Sequence, residues 1–374
     1  KEQCRGGAIY RNASLDTQVE VFTEGVMNFL DPSRKFIESA THPLPVRPQD
    51  RPFCLCVTFN LPHGVGTGNM QLRPSDDELY KSAYRDRFDE MPLPKTYRAW
   101  SSIRQPRLPR HVYNGIYLPQ YDYVKEPYFL RERQVRTCQT ITGIDRFVGL
   151  LMEKLEELNL AGNTIIVFST DHGLHHGEHG LGGKCFLYEE DTHIPLIIYD
   201  PRLPEHRRGQ VIDRFALVPD LAPTVLELCG ITPPSTMQGR SLRPLMHGED
   251  VNWRTEFMTE QLMDIQNYPR SESLRTERWK YIRYFKRTED PAQEGFLFRG
   301  TLDDYITCLY STVEDEEPVY EELFDLENDP WEEHNLCLDQ HPPAILDELR
   351  ERLNRHIRDR LPANSPATVP LSSS

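Results

Sequence analysis

The stretch TIIVFSTDHGLHHGEHG, residues 164–180, decides the expected fold class of this chain. Its first six residues, Thr164 to Ser169, are mostly β-branched and are apolar at both odd and even positions. Apolar side chains on both parities are typical of a strand in a parallel sheet that is covered on both faces. The sequence therefore predicts a buried strand here, with polar residues starting directly at its carboxyl end.

Metal-binding side chains follow this predicted strand. Asp171 and His172 stand just beyond it, and Lys184 comes later in the same glycine-rich segment. In open α/β sheets, ligands bind beyond the carboxyl ends of the strands. A carboxylate beside an imidazole can hold a divalent cation, and an ammonium group can neutralise an anionic oxygen on that cation. The pattern favours a metal-assisted anion site over a solvated loop whose histidines have no function.

A second candidate lies upstream. Residues Phe53–Phe59 are predicted to form another buried strand, and Pro62 and His63 stand near its end. Proline restricts the backbone there, and an imidazole can bind or protonate a departing oxygen. A lone histidine is more often structural, but the metal-binding residues downstream favour a functional role for His63.

Helical and strand patterns alternate through residues 1–250, which predicts an α/β domain with a mostly parallel sheet sandwiched by helices. Residues 251–374 are predicted to form a smaller α+β subdomain with short antiparallel strands and a final helix. The predicted helices are Asp16–Leu30, Arg133–Leu160, Leu217–Cys229 and Pro343–Arg358, and the further predicted strands are Ile194–Tyr199, Trp279–Tyr284 and Glu322–Asp325.

Charge and hydropathy narrow the function classes. The chain carries 43 basic and 58 acidic residues, a net charge of -15, which disfavours nonspecific binding to nucleic acid. It has no apolar stretch of membrane-spanning length. Local cations must therefore attract an anionic substrate, and the proline-rich segment Met91–Pro127 offers Arg104, Arg107 and Arg110. That segment is predicted to line the substrate, with a basic surface loop as an equal alternative.

At these residues the chain resembles the sulfatase family of the alkaline phosphatase superfamily. In that family a strand ends in Asp-Asn or Asp-His, and a Gly-Lys followed by Tyr-Glu-Glu lies downstream. The resemblance implies that Asp171 and His172 bind calcium and that Lys184 and His63 contact the sulfate. Because imidazole is not the hard oxygen ligand that calcium prefers, manganese and zinc stay open from the residues alone.

The resemblance also implies an alkaline phosphatase-like fold and a sulfuric ester hydrolase. The expected substrate is a small-molecule or glycan sulfate ester, cleaved with a metal ion and a formylglycine nucleophile. Lys184 and His63 would be catalytic. Glu178 and His179 would orient the metal ligands or line the substrate side, and the position of Arg107 in the proline-rich loop predicts a contact with substrate. The alternatives are a phosphodiesterase or phosphonate hydrolase of the same superfamily, and a non-catalytic protein that kept the fold.

The family's nucleophile motif is not found in this sequence. Residues 30–34 read Leu-Asp-Pro-Ser-Arg, so leucine stands where the family has the cysteine or serine that becomes formylglycine. We therefore expect a fragment whose nucleophile lies in a preceding segment and which is inactive alone. The resemblance favours a periplasmic, secreted or lysosomal protein, and the sequence does not set the oligomeric state.

Overall fold

The computed structural model describes residues 18–31, 33, 46–59, 62, 77–105, 107–113, 123–262, 268–286, 313 and 316–360. The helices are α1 (Gln18–Leu30), α2 (Leu79–Ser82), α3 (Pro127–Glu157), α4 (Glu189–Thr192), α5 (Val218–Leu228), α6 (Arg243–His247) and α7 (Ile345–Arg360). The strands are β1 (Ile166–Ser169), β2 (His175–His176), β3 (Gly182–Gly183), β4 (Leu196–Tyr199), β5 (Glu256–Gln261), β6 (Ser271–Thr276), β7 (Trp279–Tyr284) and β8 (Tyr320–Asp325). Within these ranges, every helix is too short or too polar to cross a membrane.

Helices α1 and α3 form the first core. Their apolar faces meet, and the partly buried Ile166 at the start of β1 packs against the same cluster. Helix α3 begins at Pro127, six residues before the predicted start, because proline's fixed φ suits the first turn of a helix. The buried residues of this core are Val19, Val26, Leu30, Ile144, Phe147 and Leu155.

Gly149, on the exposed side of α3, offers a stabilising substitution. Nothing lies within 4 Å of the position that a Cβ atom would take. We expect Gly149→Ala to raise the free energy of unfolding by about 0.5–1 kcal/mol, because alanine loses less backbone entropy in a helix. Urea denaturation measures the change. Gly143→Ala in the same helix is the control and should lower stability, since its methyl group would collide with Tyr80. A loss of stability with Gly149→Ala would contradict the prediction.

Strands β1 and β4 form an antiparallel pair, with Ile166 opposite Tyr199. Every strand pair among the described residues is antiparallel, so the predicted mostly parallel sheet is not seen there. Residues 170–195 join the two strands through the β2–β3 hairpin and the single turn α4, and they hold no long helix of the kind that usually connects a parallel pair. The predicted full burial of Thr164–Ser169 is wrong, since Phe168 is 39% exposed.

The predicted buried strand Phe53–Phe59 forms no strand in the described part of the chain, and its residues Cys54, Leu55 and Cys56 are exposed. Its aromatic side chains pack on the helices instead. The rings of Phe53 and Phe29 lie 5.6 Å apart and those of Phe59 and Phe147 lie 5.1 Å apart, both edge to face. The alternating apolar side chains of this segment therefore serve the helical core.

A four-stranded antiparallel sheet, in the order β5-β6-β7-β8, follows residue 255. Strand β7 has the predicted bounds, and β8 begins two residues before the predicted start. One face of the sheet packs against α7 through the buried side chains of Leu274, Tyr281, Leu323, Leu346, Leu349 and Leu353. The predicted antiparallel strands and final helix are confirmed, and the domain boundary near residue 250 stays a prediction.

The amino end of α5 is held by one buried carboxylate. Asp220 is fully buried, and its two oxygens accept hydrogen bonds from the backbone N–H groups of Leu217 (2.8 Å) and Arg240 (2.7 Å). The same carboxylate forms a two-point ion pair with the guanidinium of Arg254, with Nη2 at 2.9 Å. Asp220 thus joins the helix to the segment that enters β5.

Candidate active site

A short hairpin brings the two halves of the predicted site together. After β1 the chain passes Asp171 and His172, enters β2, turns and returns through the antiparallel β3, with His175 opposite Gly183. Because an antiparallel return reverses the chain, Lys184 after β3 comes back beside the residues that precede β2. The turn needs left-handed backbone, with φ of +94° at Gly177, +57° at His179 and +75° at Gly180.

Asp171, His172 and Lys184 converge as the sequence predicted. Lys184 Nζ lies 3.0 Å from His172 Nε2. His172 Nε2 in turn lies 3.4 Å from an Asp171 carboxylate oxygen. His172 Nδ1 is 2.7 Å from the carbonyl oxygen of Gly173. Since a carbonyl only accepts, Nδ1 carries the proton, and Nε2 keeps a lone pair that can accept from Lys184 or bind a metal.

The Asp171 side chain is 82% exposed, so most of its lone pairs face solvent. Partial burial opposes its ionisation, but the His172 ring, the Thr170 hydroxyl and backbone N–H groups hold the pKa of Asp171 below its ordinary value. The carboxylate is therefore an anion at neutral pH. An anionic oxygen, an imidazole lone pair and a neighbouring ammonium fit part of a divalent-cation site that faces an anionic ligand.

His63 lies outside the described residues. Its neighbour Pro62 is described, and the Pro62 carbonyl oxygen accepts a hydrogen bond from Arg133 Nη2 at 3.2 Å. Arg133 stands on α3, so this contact ties the segment before His63 to the long helix. The role of His63 stays a prediction.

Arg107 occupies an internal ion-pair network. Its guanidinium lies 3.3 Å from the fully buried Glu322 carboxylate and donates to the carbonyl oxygens of Glu332 (2.6 Å) and Glu333 (3.1 Å). Only 11% of the Arg107 side chain is exposed. This geometry favours an internal role for Arg107 over the predicted contact with substrate, because most of its donors are engaged within the chain.

Glu178 and His179 join a separate, buried cluster. Glu178 accepts from the backbone N–H of His176, and the His179 ring lies 3.5 Å from the Glu190 carboxylate. Among the described contacts, no hydrogen bond or ion pair links either side chain to Asp171 or His172. The expectation that they orient those ligands therefore lacks a contact that would support it.

His175, Glu190 and Asp191 complete this cluster and were missed by the sequence analysis. His175 is fully buried, and its Nδ1 lies 3.0 Å from an Asp191 oxygen. The other Asp191 oxygen accepts from the Phe186 N–H at 2.7 Å. The available signal was the His-x-x-x-His spacing across the turn with consecutive acids downstream, which alone does not fix a fold outside a helix.

The buried His175 ring and the half-buried His176 ring, next to each other in β2, have opposite electrostatic environments. Burial lowers the pKa of His175, but the charge and hydrogen bond of Asp191 outweigh it and raise the pKa to about 9. Burial, and then the charge of Arg133, lower the pKa of His176 to about 4. Burial raises the pKa of Glu190, but His179 and His175 outweigh it and bring the pKa to about 2.

Gly173 is required where the segment between β1 and β2 passes close to α4. Its N–H donates to the Asp191 carbonyl at 2.9 Å, and an added Cβ would overlap the Glu190 carbonyl oxygen. We expect Gly173→Ala to cost about 1–3 kcal/mol of stability and to displace His172. Thermal unfolding measures the loss. The control is Gly162→Ala, which has open space around its Cβ position; equal stability of the two variants would refute the prediction.

Glu189 anchors α4 to the C-terminal sheet. It accepts from Lys280 Nζ at 2.9 Å and Arg275 Nε at 3.0 Å. Burial opposes ionisation, but these two cations outweigh it and lower the pKa of Glu189 to about 2. The pKa is depressed in the fold, so the stabilisation is present above the unfolded pKa near 4.5 and is lost as pH falls towards 2.

We expect Glu189→Gln to lower the free energy of unfolding by about 3 kcal/mol at pH 7. The variant should then lose less of that free energy than the parent as pH falls from 4.5 to 2. Denaturant titrations across that pH range measure it. Glu205→Gln, at an exposed site, is the control and should follow the parent. A Glu189→Gln variant with the parent's acid sensitivity would show that the ion pairs do not contribute.

Comparison of the sequence with known proteins places the chain in a family. The sequence model of the sulfatase family matches residues 13–231, more than half of the chain. The chain belongs to the sulfatase family. A second model, for the C-terminal part of N-sulphoglucosamine sulphohydrolase, matches residues 177–293 and so spans the turn after β2, then β3, α4 and strands β5 to β7. Sulfatases generally use a divalent metal ion and a formylglycine.

Two curated sulfatases show the extent of the match. The chain is 32% identical over 200 residues to an N-acetylglucosamine-6-O-sulfatase from Bacteroides thetaiotaomicron, covering 53% of this chain and 30% of that protein. It is 27% identical over 349 residues to the N-sulphoglucosamine sulphohydrolase of Homo sapiens, covering 86% of this chain and 62% of that protein. The chain thus spans less than two thirds of either relative.

A solved structure supports the fold class. The protein crystallised in complex with its substrate D-glucosamine-2-N,6-O-disulfate superposes with a TM-score of 0.55 and 19% sequence identity. The match covers 92% of this chain and 71% of the other. The predicted alkaline phosphatase-like α/β fold is confirmed.

Proposed function

We propose that the protein containing this chain hydrolyses sulfate esters. One observation carries the proposal, which is the convergence of the Lys184 ammonium, the His172 lone pair and the Asp171 carboxylate beyond the end of β1. These groups can hold a cation and a tetrahedral oxyanion together. Membership of the sulfatase family supports the choice of sulfate over phosphate.

Each residue has a separate task in this proposal. Asp171 and His172 would hold the divalent ion, calcium by family resemblance, with manganese or zinc less favoured. When bound, the ion supplies charge that polarises a sulfate oxygen. Lys184 donates hydrogen bonds to a second sulfate oxygen, and the proposed role of His63 is to bind a further oxygen or to protonate the departing group. The Gly173 carbonyl keeps the His172 lone pair directed at the ligand.

The proposed substrate class is a sulfated glucosamine. Two matches support it: the match of residues 177–293 to the C-terminal part of N-sulphoglucosamine sulphohydrolase and the similarity to an N-acetylglucosamine-6-O-sulfatase. These two relatives differ by name in the position of the sulfate group, on nitrogen or on the 6-oxygen. Both positions present the same tetrahedral anion to Lys184.

Sulfate release by the protein expressed from its complete reading frame tests the proposal. Ion chromatography would follow release from glucosamine 6-sulfate and N-sulfoglucosamine, with a phosphonate monoester and a phosphodiester as competitors. We expect a sulfated glucosamine to have the highest kcat/KM and Asp171→Asn to abolish most of it. Faster phosphonate or phosphodiester hydrolysis would favour the related hydrolases, and no turnover of any substrate would favour a non-catalytic protein.

A further inference from the structure

His175, His179 and Glu190 lie outside the proposed active site, and their possible metal-ligand atoms face one another. His179 Nε2 lies 3.5 Å from one Glu190 oxygen, and His175 Nε2 lies 3.9 Å from the other. One donor atom from each of the three residues lies within 4.8 Å of the other two. The two histidine side chains are fully buried, and that of Glu190 is 17% exposed.

These donor atoms have no hydrogen-bond partner in the described part of the chain. The unpartnered atoms are His175 Nε2, both ring nitrogens of His179 and Glu190 Oε2. Buried polar atoms are normally paired, so a group of them aimed at one point indicates a ligand. One cation between the three side chains would satisfy His175 Nε2, a His179 nitrogen and the Glu190 carboxylate together.

Asp191 prepares His175 for this role. It lies 3.0 Å from Nδ1 and is itself held by the Phe186 N–H, so Nδ1 stays protonated while Nε2 faces the centre of the cluster and gives up its proton when a cation binds. A carboxylate behind a histidine ligand is the usual outer partner in metal sites, where it fixes the tautomer and raises basicity. His179 adopts φ of +57°, a conformation that non-glycine residues hold mainly where the surroundings require it.

We propose that His175, His179 and Glu190 form a second metal site, one that binds zinc, separate from the Asp171–His172 pair. Two imidazole nitrogens and a carboxylate oxygen suit zinc, whereas calcium prefers oxygen ligands throughout. Zinc–ligand bonds of about 2.0–2.1 Å place tetrahedral ligand atoms about 3.3–3.4 Å apart. The observed distances are 3.5 Å to one Glu190 oxygen and 3.9 Å to the other, and the three ligand atoms all lie within 4.8 Å of one another, so the side chains would have to move inward around the ion.

The surroundings favour a structural ion. The rings of Phe186 and Tyr188 pack edge-on against His175 at 5.2 and 5.6 Å, and Tyr188 also packs on His179 at 5.2 Å. The ion would join the hairpin, which carries both histidines, to α4, which carries Glu190. Binding free energy at such a site contributes directly to folding. The ion would therefore fix the loop between Asp171 and Lys184.

Metal content of the full chain tests this site without any assay of sulfate release. The Asp171→Asn/His172→Gln double variant removes the proposed active-site ligands, so that any tightly held zinc must be elsewhere. After zinc loading and desalting, we expect this variant to retain about one zinc ion per chain and no calcium. Adding His175→Gln or Glu190→Gln should lower retained zinc at least tenfold, while adding His206→Gln, at an exposed site, should not.

X-ray absorption of zinc in the double variant gives a second measurement that needs no folded cluster variant. We expect two imidazole ligands and an oxygen shell, and zinc should raise Tm by about 3–6 °C over the EDTA-treated protein. No retained zinc, or equal retention by the His175→Gln and His206→Gln variants, would overturn the proposal and leave a metal-free ion pair. Because none of these measurements uses a substrate, failure of the zinc site leaves the proposed sulfatase activity standing.

Discussion

Replacing Lys184 with alanine is expected to lower kcat/KM for sulfate release by the complete protein by about 100- to 1,000-fold. The ammonium lies 3.0 Å from His172 Nε2. In the proposed site it would hold an anionic sulfate oxygen while negative charge moves onto the departing oxygen as the S–O bond breaks. Removing one preorganised donor at such an oxygen removes transition-state stabilisation that mobile water molecules do not fully replace. Thermal stability should not change, because among the described residues the Lys184 ammonium forms a side-chain hydrogen bond with that imidazole alone.

Steady-state kinetics on the preferred sulfated glucosamine measure the Lys184→Ala effect. Lys95→Ala removes an exposed ammonium that lies over the Trp331 ring and is the matched control. Lys184→Arg keeps the charge but changes its shape, so we expect an intermediate loss. An alanine variant within threefold of the parent, with the control also unchanged, would remove Lys184 from the site.

The second large effect is on stability. Asp220→Asn should cost about 3–5 kcal/mol of unfolding free energy, because it leaves the Arg254 guanidinium buried without its counter-charge. The amide also presents an NH₂ group to the backbone N–H of Leu217 or Arg240, which can only donate. The amino end of α5 would lose its cap at the same time.

Guanidinium denaturation with the midpoint and slope fitted separately measures the Asp220→Asn loss. Asp347→Asn is the control, since its ion pair with Arg350 is on the surface and 87% of the Asp347 side chain is exposed. The double variant Asp220→Asn/Arg254→Met should recover part of the loss by removing the unpaired charge. A single variant as stable as the Asp347→Asn control would show that the Asp220 network is energetically neutral.

The part of the site that depends on residues close together in the sequence could be predicted. The convergence of Asp171, His172 and Lys184 depends on polar residues after an apolar strand and on a glycine-rich segment able to turn the chain back. Strand β7 was also predicted with its bounds, because Trp279, Tyr281, Ile282 and Tyr284 form a short run of strand-favouring aromatic and β-branched residues. Helix starts were harder, since α3 is extended towards its amino end by a proline-led turn with no apolar period.

Features that depend on distant partners could not be predicted. Apolar residues on both parities of β1 indicated full burial, but whether a face is covered depends on elements far away in the chain, and Phe168 is 39% exposed. The cluster around His175 forms only because a two-residue strand and a one-turn helix meet, and neither has a periodic signal. Arg107 looked available from its loop, yet its partner Glu322 lies more than two hundred residues later.

That long-range partner has a consequence for how the protein tolerates genetic damage. Glu322 on β8 accepts from the hydroxyl groups of Tyr188 and Tyr284, each at 2.7 Å, and pairs with Arg107. Tyr188 immediately precedes the turn that presents Glu190. A premature stop codon shortly before β8 would therefore remove Glu322 and the support it gives to Tyr188 and Arg107. The loop that carries Asp171, His172 and Lys184 would lose that support, although every residue proposed to touch the sulfate had already been translated.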